Sequence, residues 1–359
     1  MASKNLDVDV AVVGAGVIGC MTAREILARS PGTSVMVLDR DMTGSGATRR
    51  SAGLHFPRGA VERVRRMSAY SQDYYAKLLA LHPDLPVHPL PMTVIAAEAS
   101  GAALRGVYLD SAQLRRSTPD PDGRIRIPPG SAAWQGEGCQ YADVHALTQF
   151  LSRRLRGPVS VRESVRVDEV RPEQDAVVLR LGTGETVTAG RAVLAPGPWL
   201  AAPAWKDLVA PLNARVKKVV AMHIGVRPGK DDHAIVLHDE DAFLLPRYNE
   251  GRWLFSYTCQ EWDVDPESVA DGLSRENLSE ARAVLGRYAP GLVEHCVSGR
   301  VFCDAFSPGG APLVTSLDGH GRLVFAGAAN GSGYRLAPAI AAEAVGLLNL
   351  PHHGEKDQS

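Results

Sequence analysis

A chain of 359 residues with 45% hydrophobic and 22% charged side chains can bury two or three domain-sized cores, which excludes wholesale disorder. A formal net charge of -1 argues against a nucleic-acid or anionic-membrane binder, because those need a sustained basic surface. Five cysteines, at 20, 139, 259, 296 and 303, form no C-x-x-C pair, so they fit neither a zinc site nor a disulfide scaffold and point to a reducing compartment.

Val8 to Val13 is a short β-branched run that reads as a buried strand. It enters Gly14-Ala15-Gly16-Val17-Ile18-Gly19 and a helix from Cys20 to Arg29, which Pro31 and Gly32 break. Ser34 to Leu38 is a second strand ending at Asp39, 20 residues after Gly19. A Gly/Ser/Thr/Arg-rich loop spans 41–59, and Arg63 to Leu81 has helical spacing. Pro83 to Pro91 reads as a proline-rich connector and 119–138 as irregular. Asp143 to Leu155 is a helix, and 159–188 holds short strands turned by Gly182-Thr183-Gly184. Arg191 to Leu194 is a strand running into Ala195-Pro196-Gly197-Pro198-Trp199. Strand-rich segments at 214–226 and 242–258 suit an antiparallel sheet, and Ser274 to Tyr288 is a helix. Leu323 to Ala326 is a last strand, followed by a glycine-rich turn and a helix from Ala337 to Leu348. No apolar run reaches the roughly 18 residues of a membrane span. The polar residues 1–9 do not read as a secretory signal, so a cytoplasmic location is expected, with no membrane and no nucleic acid among the partners.

The glycine loop carries specific chemistry. Gly14 permits the tight turn, Gly16 the approach of a pyrophosphate, and Gly19 the packing of helix on strand. The N-terminus of the helix that follows offers free N–H groups to phosphates. Asp39 can accept both ribose hydroxyls and disfavours a 2′-phosphate. Strand, glycines, helix, second strand and terminal acid in this order point to a dinucleotide, FAD or NAD.

Three further segments separate the two. G-A-T-R-R-S-A-G at 46–53, A-V-L-A-P-G-P-W at 192–199 and A-G-A-A-N-G-S-G-Y-R-L-A-P at 326–338 resemble, in family order, flavin-contacting segments of the D-amino-acid oxidase/sarcosine oxidase superfamily. The resemblance spans almost the whole chain and implies FAD. Ser274 to Phe306 is similar to the monomeric sarcosine oxidase and N-methyl-amino-acid oxidase branch. It implies an α/β fold: a Rossmann-like FAD-binding domain (1–59, 140–205 and 311–350) with an inserted antiparallel-sheet substrate domain (60–139 and 206–310) and a tail at 351–359.

Residue by residue, the resemblance sets Gly14, Gly16, Val17, Ile18 and Gly19 against the pyrophosphate and Asp39, with Arg40 beside it, at the adenosine ribose. Thr48, Arg49 and Ser51 would lie near the pyrophosphate or flavin edge, and the backbone of Val167 at the adenine. Gly197 and Trp199 would close the flavin domain, and Gly331, Ser332, Gly333 and Tyr334 would run along the pyrimidine end of the ring. In that branch a cysteine at the position of Cys303 carries a thioether to the flavin. Ala305 and Phe306 replace the Tyr and Thr of the usual C-x-Y-T, so a covalent link and a small buried thiol both stay open.

Arg335 occupies the position of the branch's carboxylate-binding cation, and a guanidinium can hold a carboxylate bidentately. The second cation of that clamp falls at Ala52 here, leaving Arg50 as the better candidate, with Arg58 a neighbour. His55 is placed to reach the ring and position an amine or take its proton. Lys217 or Lys218 is a candidate for favouring dioxygen chemistry by its charge. Arg247, Tyr248, Tyr257 and Trp262 are possible pocket walls. The implied reaction is oxidation of a C–N bond in an amino acid or related amine, with hydride transfer to flavin N5, an imine product, and reoxidation by O2 to hydrogen peroxide. The alternatives are a flavin amine dehydrogenase with another acceptor and a biosynthetic tailoring oxidase of a specialised amine. No metal site is expected, since His352-His353 stands alone in a polar tail.

Overall fold

The computed structural model describes residues 7–117 and 123–350. The chain opens with β1 (Val8–Val13), α1 (Val17–Arg29), β2 (Val35–Leu38), α2 (Ala47–Arg50) and β3 (Leu54–His55). Then come α3 (Glu62–Leu81), β4 (Val87–Ala97), α4 (Gly101–Val107), β5 (Arg115–Ser117), β6 (Ser131–Ala142) and α5 (Val144–Leu155). The Asp143 carboxylate caps α5 by accepting the Ala146 N–H. β7 (Val159–Arg162), β8 (Val167–Pro172), β9 (Val177–Leu181) and β10 (Thr186–Leu194) follow, then α6 (Lys206–Val209). β11 (Arg215–Ile224), β12 (Ala234–Leu237), β13 (Ala242–Arg247) and β14 (Arg252–Tyr257) lead to α7 (Arg275–Tyr288), which Ser274 and Asn277 start with a capping box. β15 (Cys296–Phe306), β16 (Leu313–Ser316), β17 (Leu323–Gly327) and α8 (Gly333–Leu347) complete the chain.

Two sheets organise these elements. In the first, β7, β2, β1, β10 and β17 run parallel in that spatial order, with Val10 opposite Val35 and Val12 opposite Val193. β16 adds an antiparallel edge, and β9 and β8 extend from the start of β10. Strands buried on both faces explain the continuous aliphatic runs of β1 and β2. Val10, Val12 and Val37 pack under α1 and α8 through Ile26 and Ile340. Ala11, Leu38 and Leu194 face Val170, Leu179 and Phe325 on the other side. The second sheet has the order β15-β11-β14-β13-β12-β4-β6-β3 and is antiparallel except where β12 joins β4. α7 covers it, burying Ala281 and Leu285 against Met222 and Phe255.

Four local expectations differ from the structure. The expected connector at 83–91 is largely strand, because burial of Leu90, Met92 and Val94 draws β4 into the core. Pro89 and Pro91 lie on its exposed face, and the pairing with β6 shifts between Leu90 and Met92, which accommodates a missing donor. The expected irregular stretch at 119–138 contains the start of β6, while residues 118–122 lie outside the described residues. The last helix begins at Gly333, four residues earlier than its apolar pattern suggests. Residues 54–55 and 140–142, assigned by the sequence to the nucleotide-binding part, pair within the second sheet.

Candidate functional site

The C-terminal ends of β1, β2 and β10 and the N-termini of α1 and α8 open onto one cavity of about 1280 Å³. Carboxyl ends of parallel strands are where open α/β sheets place ligands. At one end Gly14 has φ +106°, and a Cβ there would lie 2.2 Å from the Ala195 carbonyl oxygen, so only glycine lets the turn after β1 meet the loop after β10. α2 brings Thr48 to the N-terminus of α1, where its hydroxyl accepts the Val17 N–H at 3.0 Å. Asp39 ends β2 and accepts N–H groups of Ala15 at 2.6 Å and Asp41 at 2.9 Å. Burial raises its carboxyl above the usual range while these two donors oppose the shift.

Gly16, Val17, Ile18, Gly19, Arg40, Val167, Gly197 and Trp199 line the same end. The Arg40 guanidinium lies 4.3 Å from the centre of the Trp199 ring. Glu267, from the turn at Pro266–Asp271, accepts from Arg40 Nη1 at 2.6 Å and from Trp199 Nε1 at 2.7 Å. A segment between β14 and α7 thus closes over this end of the cavity.

The far end is built by the turn after β17. Ala328 (φ +47°) and Asn330 (φ +53°) both sit in the left-handed region, a strain that the sequence pattern gave no sign of at Ala328. Ser307 pins Asn330, donating its N–H to Oδ1 at 2.9 Å and accepting from Nδ2 at 3.0 Å. Ser51, Gly331, Ser332, Gly333 and Tyr334 line this end, and Tyr75 donates to the Tyr334 carbonyl at 2.7 Å.

Arg335 follows in the first turn of α8 and lines the cavity at only 9% exposure. It donates to the Arg58 carbonyl and, at 2.7 Å, to Ser332 Oγ. Among the described residues no carboxylate lies within ion-pair distance of it. Burial, and then the neighbouring charge of Arg58, lower it to about 10, so it stays cationic at neutral pH. The guanidiniums of Arg335 and Arg58 lie 5.1 and 5.9 Å from the centre of the Phe56 ring. Arg58 also lines the cavity, and among the described residues its ion-pair partner is Asp241 at 3.9 Å, itself largely exposed.

Lys217, on β11, is a second buried cation on the wall. Its Nζ lies 4.6 Å from the Trp262 ring centre and 5.4 Å from that of Phe306, and burial lowers its pKa. Asp304, opposite it in the β11–β15 register, also lines the cavity. Burial raises the Asp304 carboxyl to about 6, against the N–H groups of Ala305 and Gly331. Sequence reading missed Asp304 and Phe56 and left Arg58 as a bystander; alternation along β15, which turns Phe302, Asp304 and Phe306 to one side, was the available signal.

Seven candidates stand apart from the cavity lining: Arg247, Tyr248 and Trp262, expected as pocket walls, and His55, Arg49, Arg50 and Cys303. His55 is corrected first: Leu54 and Phe56 face the cavity, so alternation turns His55 into the core. It is fully buried, edge-on to Tyr75, with neither ring nitrogen hydrogen-bonded. Burial, then the charge of Arg335, lowers it to about 3, so it is neutral and too weak a base to take an amine proton. Its unfolded pKa lies higher, so acid costs stability as pH falls from about 6.5 toward 3. His55→Leu is expected to flatten that fall in thermal unfolding curves and to leave substrate affinity within about twofold.

Arg49 and Arg50 are exposed on α2 and do not line the cavity, so Arg50 is replaced by Arg58 as the cation beside Arg335. Cys303 is 3% exposed and also absent from the lining. Burial, then Asp265 and Asp304, push its thiol up to about 11, which leaves little thiolate to form a thioether. Acid precipitation is therefore expected to leave the flavin in the supernatant; colour retained in the pellet and lost in Cys303→Ala would contradict this.

A family profile described as FAD dependent oxidoreductase (DAO) matches residues 9–347. The chain belongs to this family. It is 24% identical over 259 residues to 4-methylaminobutanoate oxidase (formaldehyde-forming) of Paenarthrobacter nicotinovorans, covering 68% of this chain and 31% of that protein. The chain thus spans about a third of the length of the curated relative it matches. The fold is similar to that of glycine oxidase from Bacillus cereus, with TM-score 0.78, 17% identity and 97% of each chain covered. It is similar as well to L-α-glycerophosphate oxidase from Mycoplasma pneumoniae with FAD bound, at TM-score 0.75 and 16% identity over 96% of this chain and 95% of that one.

The cofactor of this family is FAD, and the cavity fits it. Its lining runs from the acid at Asp39, past the helix N-terminus at Val17, to a second helix N-terminus at Gly333. Its volume exceeds the roughly 300–1,000 Å³ of ordinary small-molecule pockets. Among the described residues no helix is long and apolar enough to cross a membrane, and no cluster of His, Cys, Asp and Glu is arranged to hold a metal.

Proposed function

We propose that the chain oxidises the C–N bond of an amine that carries a carboxylate, with O2 as the acceptor. The observation that carries this reading is Arg335: a buried guanidinium on the cavity wall, beside Arg58, with no carboxylate among the described residues within ion-pair distance. A buried cation without a counter-ion is costly, and a ligand carboxylate relieves that cost in a bidentate geometry. FAD, when bound, supplies at N5 the acceptor for the hydride leaving the carbon next to nitrogen. The chain's own residues orient: Arg335 and Arg58 hold the carboxylate, Phe56 stacks beside both, and Tyr334 and Gly331 line the same end. The product imine hydrolyses in water, and two electrons pass to O2 to give hydrogen peroxide.

The curated relative is named an oxidase of a methylamino acid, which supports the same bond class here. Lys217 favours O2 over a carrier protein, because a buried cation stabilises the negative charge that develops on dioxygen. We read the protein as cytoplasmic, supported by five free, buried cysteines. The test is peroxide release with matched pairs, each amino or N-methylamino acid against its decarboxylated amine. Peroxide from the acids alone is the expected result. Equal turnover of both members of a pair sinks the carboxylate reading, and substrate oxidation without peroxide sinks the oxidase reading.

A further inference from the structure

Behind the cavity wall lies a cationic cluster that the proposed chemistry does not use. Arg247 (end of β13), Arg252 (start of β14) and Arg300 (β15) converge from the second sheet. Glu250 pairs with Arg247 Nη2 at 2.6 Å and accepts from Arg252 Nε at 2.8 Å, so two guanidiniums share this carboxylate, while among the described residues none lies within ion-pair distance of Arg300. His223 adds no charge, since burial and then Arg252 lower it to about 4. The surplus is directed at backbone carbonyls. Arg300 Nη2 donates to the Ser51 carbonyl at 2.9 Å. Arg247 Nη1 donates to the Ala52 carbonyl at 3.1 Å and to that of Ala142 at 3.5 Å.

Ser51, Ala52 and Gly53 line the cavity from their other side. Gly53 has φ +74°, and a Cβ there would lie 2.0 Å from the Ala142 carbonyl oxygen, so this backbone is pressed against β6. α2 has only four residues and its C-cap is Ser51, so the helix alone holds this segment weakly. We propose that Arg300 and Arg247 are positioning residues for the flavin: their guanidiniums, carried by the antiparallel sheet, fix the cavity-facing backbone of residues 51–53. This rests on the reading that FAD occupies the cavity. Hydrogen bonds from a charged donor are the strong class, and a buried carbonyl stripped of one must find water or move. The Arg300 Nε is buried without a partner, a cost consistent with a side chain held for its other nitrogens.

The test follows FAD release from the purified holoenzyme by the fluorescence of the free cofactor, with thermal unfolding measured alongside. Arg300→Met is expected to weaken FAD binding roughly tenfold or more and to alter the visible circular dichroism of the bound flavin; Arg300→Lys recovers most of both. If the Met variant does not fold, Arg300→Gln, which keeps an N–H donor without the charge, is expected to release FAD faster than Arg300→Lys, which stays near wild type. FAD release and circular dichroism at wild-type values in the variants, with only the unfolding temperature lowered, overturn the proposal. Wild-type protein that neither retains nor takes up FAD contradicts the cofactor reading itself, and the proposal with it.

Discussion

Arg335→Met is expected to lower kcat/KM for carboxylate-bearing amines by roughly 10²–10³-fold, the usual cost of removing one partner of a buried charge pair. Methionine fills the side-chain volume of a residue that is 9% exposed, so packing of α8 should survive. The loss should appear largely in KM and in the binding of carboxylate inhibitors, with the decarboxylated amine of each pair unaffected. Arg58 remains on the wall and retains part of the attraction, so Arg58→Met on top of Arg335→Met should cost further affinity. The two losses should not add, because the guanidiniums face one site. Unchanged KM for every acid in Arg335→Met would remove the carboxylate clamp.

The second large effect is expected at Lys217. Lys217→Met should slow oxygen consumption about 10²-fold while anaerobic reduction by substrate keeps its wild-type rate, because the lysine acts on the charge that forms on dioxygen. Trp262 and Phe306 face the lysine's ammonium and give methionine an apolar seat, which limits damage to the fold. Stopped-flow separation of the two half-reactions reads the difference. Equal slowing of both would mark Lys217 as a packing residue; an unchanged oxygen rate would move the dioxygen site elsewhere.

The two ends of the chain were legible in the sequence because their chemistry is written in backbone requirements. Gly14 must be glycine at φ +106°, and the strand–turn–helix pattern places it without reference to anything distant. Asp39 is legible for the same reason, at the tip of a strand whose length the aliphatic run sets. The middle was less legible. β4 hides behind its prolines, because the gain from burying Leu90, Met92 and Val94 is a tertiary effect that local propensity cannot weigh. His55 looked catalytic by position, yet one step of strand alternation decides between cavity and core, and a two-residue strand offers no pattern from which to read it. Arg58 and Arg335 are 277 residues apart, and only the fold brings them to one ring. Arg247 and Arg300 reach the loop at 51–53 from strands whose order in the sheet no local motif encodes.

The decisive measurement is anaerobic titration of the yellow protein with sarcosine, other N-methyl amino acids, primary D- and L-amino acids, cyclic imino acids and their decarboxylated amines, followed by flavin absorbance. The expected result is bleaching by at least one class of carboxylate-bearing amine and by none of the decarboxylated partners at equal concentration. A flavin that dithionite bleaches but no amine does would contradict C–N oxidation as the activity of this site.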